Sequence, residues 1–347
     1  MNSDTLAKGP GAPVRDSDAR LEPADVPLLV QLSDPEAPVP AGAVEPTRLA
    51  RLLTAAERHG VLAIVYRKCR EVAAPGHVAS ILNPLSPRIV AAVGQAMLLE
   101  RRAQAVVQKF ADAGVRATIV KGPVFADRLY RHRSDRPFTD IDFLVAPDSL
   151  DAANAAIEFL GFDRPTKTRD NSRRDREYKW QSRENASILV ELHGDLVHYP
   201  ALRRRISFGY DRLVEAGSGV PDSPPALLMT AVVHAACGHK FHELRLLVDV
   251  LQAVRRLKGK DEQVVEACRA MGAMLEVSVT LHVVGEIFQE PRAVKLAGRV
   301  GDHPAIRLGR HLIDTQAVFG PDSGNPTGAW WRRHGFRLLQ RIGPLRP

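Results

Sequence analysis

Two aspartates one residue apart, Asp140 and Asp142, sit among Thr139, Ile141, Phe143, Leu144 and Val145, a β-branched and apolar run that favours an extended backbone. Side chains alternate across a strand, so both carboxylates would share one face while Ile141 and Phe143 point into the core. Like charges placed this way repel each other and lose solvation unless a cation lies between them. Mg²⁺ suits the position, because it binds one or two carboxylates and leaves its other sites to water and phosphate oxygens. A third acid, Glu191, is isolated in the apolar run Ile188-Leu189-Val190-Glu191-Leu192-His193, where it would not be buried without a partner. With it, the group could hold two ions roughly 4 Å apart, one activating an attacking oxygen and the other steadying a leaving pyrophosphate.

Other residues around these acids carry chemistry of the same kind. Lys121 precedes Gly122 at a strand-to-helix turn, where backbone N–H groups attract phosphate and glycine permits close approach. The lysine is either a point charge on a triphosphate or simply flanks the turn. Arg136, four residues before Asp140, has three readings: it pairs with the acids when no metal is bound, it grips phosphate oxygens with its planar fork, or it makes an ion pair that fixes the loop. His193 shares the strand face of Glu191. It could ligate metal, hold Glu191 or accept a proton from an acceptor hydroxyl, and a supporting role is the commonest for such a neighbour.

The segments Val120-Lys121-Gly122, then 136–145 (RPFTDIDFLV), then Glu191-Leu192-His193 together resemble a bacterial family of uncharacterised nucleotidyltransferases. More widely they resemble the superfamily that includes antibiotic nucleotidyltransferases and DNA polymerase beta. Gly194 stands where the family has tryptophan, and Lys121-Gly122 replaces the superfamily's Gly-Ser or Gly-Gly turn. The resemblance implies an α+β fold: a small mixed β-sheet nucleotidyltransferase core with flanking helices and a C-terminal all-α domain. It implies transfer of an NMP from an NTP such as ATP to a hydroxyl or phosphate, with Mg²⁺ or Mn²⁺ on Asp140, Asp142 and Glu191 and with Lys121, Gly122 and Arg136 on the nucleotide. His239 and Asp249 lie near family positions and would stand on the acceptor side or be structural. Arg245 and Asp249 are also spaced i, i+4, as an intrahelical ion pair would be.

Three functions fit. The acceptor is an unknown small molecule or peptide, or the enzyme tails RNA or modifies protein, or the chain is a non-catalytic nucleotide-binding protein. The intact acids argue against the last. A net charge of +8 over 347 residues and a pI near 9.6 invite the RNA reading, which Arg203-Arg204-Arg205 and the basic residues of 164–176 would serve if that loop contacts phosphate rather than solvent. His234, His239 and His242 lack the spacing of a zincin helix and have no cysteine partner, so zinc is not expected. Cys69, Cys237 and Cys268 show no C-x-x-C pairing and read as reduced and helical. No run approaches a membrane span and no signal peptide is visible, so a cytoplasmic protein without integral membrane association is expected.

These residues need a frame. Residues 1–45 read as a disordered or irregular leader, 46–114 as N-terminal helices, 115–200 as the catalytic core, 201–320 as a helical domain and 321–347 as a basic aromatic tail. Apolar stripes predict helices ending near Gly60, over 61–72, from Pro87 to Gly114 and from Leu150 to Gly161. A strand is predicted over 115–120, and a hairpin pairs 177–181 with 187–193. Further helices are expected from Pro224 to about His239, then over 244–257, 262–271, 274–288 and 303–319. The tail, with Trp330, Trp331 and five arginines between 332 and 346, suits a membrane surface or acidic partner, or packs its aromatic residues on the body and leaves arginine in water. Gly335 and Pro344 would shorten any helix there.

Overall fold

The computed structural model describes residues 21–39, 45–72, 79–165, 177–320 and 328–342. It is an α+β fold with one mixed sheet. The strands are β1 (Ala117–Ile119), β2 (Ile141–Val145), β3 (Phe162–Asp163), β4 (Glu177–Ser182) and β5 (Leu189–His193), in the order β1-β2-β5-β4-β3. Only β2 and β5 run parallel, and their register sets Asp142 opposite Glu191. The expected hairpin forms, with Lys179 opposite Glu191 across β4 and β5.

Alternation divides the sheet into two faces. Ile141, Phe143, Val145, Val190, Leu192 and Trp180 face the helices Ser86–Asp112 and Leu150–Phe159, in a core shared with Leu99, Val106, Phe110 and Ile157. Phe110 meets Phe143 edge to face at 5.1 Å. The intervening residues Asp142, Glu191, His193, Glu177 and Lys179 are thereby turned to the opposite face.

A second, larger core holds the helical body. Here the helices Pro46–Arg58 and Leu62–Val72 join those after residue 200, while Ser86–Asp112 stays with the sheet. An apolar stripe shows which side of a helix is buried without naming its partner, so the expected block 46–114 divides between two cores. Val120, Phe125, Leu129 and Tyr130 enter the larger core from the segment between β1 and β2, fastening the sheet to the body.

Several expectations need correction. The irregular leader contains a helix, Val26–Ser33, with Leu29 and Leu32 in the main core. Its Pro27 lies in the first turn, where proline has no hydrogen bond to break. Asp25 is held by Arg48 and Arg51, and Asp34 by Arg255. The helix expected over 303–319 is two, Pro304–Leu312 and Thr315–Phe319, the second capped by Asp314 Oδ1 on the Ala317 N–H at 3.0 Å. A further helix, Pro291–Val300, was not anticipated.

In the tail, the helix Ala329–Ile342 continues through Gly335; Phe336 and Leu339 pack in the main core as expected, but the tryptophans and two arginines do not follow. Arg333 and Arg337 are buried, whereas Trp330 and Trp331 are 40% and 50% exposed. The arginines go inward because backbone carbonyls await them: Arg337 donates to Cys237 O at 2.6 Å and stacks on Tyr199, and Arg333 donates to Ala317 O. Pro344 and most of the basic loop, residues 166–176, lie outside the described residues. Cys69, Cys237 and Cys268 are free and buried. Among the described residues, no helix is long and apolar enough to cross a membrane.

Candidate functional site

The charged face of the sheet and the helical body enclose a cleft of about 740 Å³, lined by Lys121, Gly122, Arg136, Asp140, Asp142, Glu177, Lys179, Glu191, His198, His234, His239 and Arg245, among others. Asp142 is buried. Its Oδ1 accepts from Lys121 Nζ at 2.8 Å and from His193 Nε2 at 2.8 Å. His193 Nε2 is also 3.5 Å from Glu191 Oε2. Its Nδ1 is buried and has no hydrogen-bond partner among the described residues. Glu191 accepts from Lys179 at 2.7 Å, and Lys179 also reaches Glu177, which bonds His198.

The electrostatics are those of crowded carboxylates. Burial, then the charges of Asp142 and Glu191, push Asp140 up to about 6. Burial would also raise Asp142, but Lys121 and His193 outweigh it and hold that carboxyl well below its usual range. Burial likewise opposes the Lys121 ammonium, yet Asp142, with Glu191 and Asp140 behind it, raises its pKa and keeps it charged. Two ammonium groups, on Lys121 and Lys179, thus stand against Asp142 and Glu191.

Ligand atoms of Asp142, Glu191 and His193 lie within 4.8 Å of one another, a donor set able to hold a divalent cation. Asp140 is not in that close group. It sits one residue before β2, half-buried at the cleft wall, close enough for its ionisation to respond to both other acids.

Gly122 has φ +47°, and a Cβ there would come within 3.3 Å of Asp140 O and of the Phe138 ring. The turn therefore needs glycine to lie this close to the acid-bearing segment. After β1, it passes into the short helix Pro123–Arg128.

Of the three readings of Arg136, the geometry matches the ion pair. The residue is 2% exposed; Nε and Nη2 donate to Asp249 Oδ1 and Oδ2 at 2.8 and 3.0 Å, and Nη1 donates to Pro137 O. Tyr130 completes the cluster with a 2.6 Å hydrogen bond to Asp249 Oδ1. Asp249 lies on the helix Leu244–Arg256, 113 residues from Arg136 in the chain, so this pair ties the segment before β2 to the helical body. The expected Arg245–Asp249 pair is not what forms, because Arg245 bonds Glu243 instead and points to the cleft.

Residues 45–289 match the model of a family described as an uncharacterised nucleotidyltransferase. The chain belongs to this family. It is a nucleotidyltransferase, with a nucleotide as substrate. No curated protein and no solved structure matches it.

In this family member the sequence pattern led to Asp140, Asp142, Glu191, Lys121, Gly122, His193 and His239, and the fold brings all of them to one cleft or its immediate wall. Asp249 is placed behind it. Glu177 and Lys179 were missed, although they alternate with Tyr178 and Trp180 in β4, a period-two signal that puts them on the face of Glu191. Tyr130 and His198 carried no such signal. Arg203 and Arg205 donate to the carbonyls of Val197, His198 and Gln340, so that arginine run is partly spent on holding the chain together.

Proposed function

We propose that the cleft transfers an NMP from an NTP to a hydroxyl or phosphate of a small-molecule or peptide acceptor, with release of pyrophosphate. The observation that carries the reading is the pairing of Asp142 with Glu191 across parallel strands, both facing one cleft with Lys121 at their edge. The donors present fit a resident divalent ion. Asp142, Glu191 and Asp140 would hold Mg²⁺ or Mn²⁺, with His193 fixing the Asp142 carboxylate from behind. When bound, the ion neutralises phosphate charge and lowers the pKa of a coordinated oxygen.

The remaining work falls to the chain itself. Lys121, which pairs with Asp142, would offer its ammonium to phosphate oxygens, and Gly122 would let the backbone approach them. Lys179 would act likewise from β4. Arg136 is committed to Asp249 and orients the segment that carries Asp140. Rate enhancement would rest on positioning and on charge stabilisation of the α-phosphorus as the acceptor oxygen attacks and the bond to pyrophosphate breaks.

The test incubates the protein with each α-labelled NTP and Mg²⁺ or Mn²⁺ against a metabolite and peptide panel. Label should pass to an acceptor with stoichiometric pyrophosphate, and Asp142→Asn should abolish it. Wild-type turnover in that variant would sink the assignment.

A further inference from the structure

A further group of ligating side chains, of which His239 lines the cleft, shares no residue with the carboxylate set. One ligand atom each from His239, His242 and Glu243 lies within 4.8 Å of the others. From the spacing of the histidines, no zinc site was expected. The local backbone departs from the regular spacing on which that expectation rests. The helix Pro224–Val233 ends in a π-turn, His234–Gly238, closed by the His239 N–H on His234 O at 3.2 Å. Lys240 and Phe241 then take positive φ of 52° and 62°, a conformation that non-glycine residues rarely adopt. The chain doubles back, and His239 and His242 come together in a way that neither helical nor strand periodicity describes.

Hydrogen bonding has already oriented this group. His242 Nδ1 lies 2.5 Å from His239 O, and a carbonyl oxygen can only accept, so Nδ1 carries the proton. In neutral His242 the lone pair is therefore on Nε2, which faces Glu243 Oε1 at 3.1 Å. The other carboxylate oxygen, Oε2, is held by Arg245 Nη2 at 2.8 Å and Nε at 3.2 Å. An imidazole fixed by a carbonyl and a carboxylate fixed by a guanidinium are the outer supports that metal ligands commonly have. Two electron-pair donors facing each other across 3.1 Å require a cation, which is either a second proton on His242 or a metal ion.

We propose that His239, His242 and Glu243 bind a borderline divalent cation of the Zn²⁺ class. Two imidazole nitrogens and one carboxylate oxygen form the donor set of zinc sites that keep a coordination position open, and Mg²⁺, which prefers oxygen alone, does not compete for it. His239 also lines the cleft and Glu243 lines a neighbouring pocket, so the group lies between two openings from which a fourth ligand could come. The side chain of His242 is 42% exposed, which gives the ion a way in from solvent.

The test uses Zn²⁺ alone, by calorimetric titration of chelator-treated protein in the His193→Ala background, which breaks both other donor groups, Glu177–His193–His198 and Asp142–Glu191–His193. One equivalent should bind, millimolar Mg²⁺ should not displace it, and Co²⁺ in its place should give visible d–d absorption. Adding His242→Ala should weaken Zn²⁺ binding by at least about 100-fold, since removing a ligand costs more than removing one of its supports. Glu243→Gln, nearly isosteric, should lose the Co²⁺ spectrum, with circular dichroism and melting temperature showing that each variant is folded. Equal Zn²⁺ affinity with and without His242, or no binding in the parent, would overturn the site and leave an imidazolium–carboxylate pair.

Discussion

Two clusters of buried charge sit close together and are built on opposite principles. Arg136, Asp249 and Tyr130 form a closed set: the guanidinium and carboxylate meet through two parallel hydrogen bonds, the phenol caps one oxygen, and almost nothing faces solvent. Lys121, Asp142, His193, Glu191 and Lys179 form an open set along one sheet face, where acids stand near acids and the lysines hold them apart. The contrast shows which charges hold the molecule together and which wait for something to bind. A satisfied buried pair costs desolvation and returns rigidity. An array that burial and like charge push toward protonation, as at Asp140, is a sign of function rather than of stability.

The largest expected effect separates the two sets. Asp249→Ala strands the Arg136 charge and should lower unfolding free energy by about 3–5 kcal/mol in urea titration. Asp142→Asn should cost less, about 1–3 kcal/mol, because the amide oxygen still accepts from Lys121 and the charges of Asp140 and Glu191 still offset the ammonium. It should nevertheless lower transfer at least about 1000-fold. Equal stability losses in the two variants would erase the distinction.

A second expectation concerns protons in the open set alone. Asp140 is pushed up to about 6, so Mn²⁺ binding should weaken as pH falls through that value, with about half a proton released per ion bound at pH 6 and more below it. The sign follows because the ion needs the carboxylate, which is protonated below its pKa. Flat affinity from pH 8 to about 5 would remove Asp140 from the ion's surroundings.

His59 sharpens the comparison from a third side, being neither paired nor open. It is buried against Phe319, and neither ring nitrogen has a hydrogen-bond partner among the described residues. Burial lowers its pKa to about 4, whereas the unfolded chain protonates near 6.5. Between those values the unfolded state binds more protons, so the wild type loses stability as pH falls through the window. His59→Phe should remove that slope and add about 1–3 kcal/mol, more at pH 5 than at pH 8. An unchanged pH dependence of melting would refute it. The smallest effect is Tyr130→Phe, expected to cost about 1–2 kcal/mol and leave transfer intact, since Arg136 still satisfies Asp249.

How much of this could be read from the chain alone depended on distance along it. The D-x-D strand and the isolated Glu191 were legible because period-two alternation assigns faces without knowledge of partners, and the parallel β2–β5 register completed the geometry. The Arg136–Asp249 pair was not, since it spans 113 residues and local spacing offered Arg245 as a nearer partner for Asp249. The helix Val26–Ser33 was hidden by its length, too short to show a period among prolines. The tail misled for a different reason: burial of Arg333 and Arg337 is set by carbonyls at Ala317 and Cys237, which composition cannot reveal.

The central claim is that Asp142 and Glu191 gather a divalent ion around a nucleotide. Electron paramagnetic resonance titration of Mn²⁺, with an NTP analogue that resists cleavage between the α- and β-phosphates, tests it without knowledge of the acceptor. Wild type should bind Mn²⁺ far more tightly with the analogue than without it, and both Asp142→Asn and Glu191→Gln should lose that gain. Mn²⁺ binding that ignores the nucleotide, or that survives in both variants, would contradict the account.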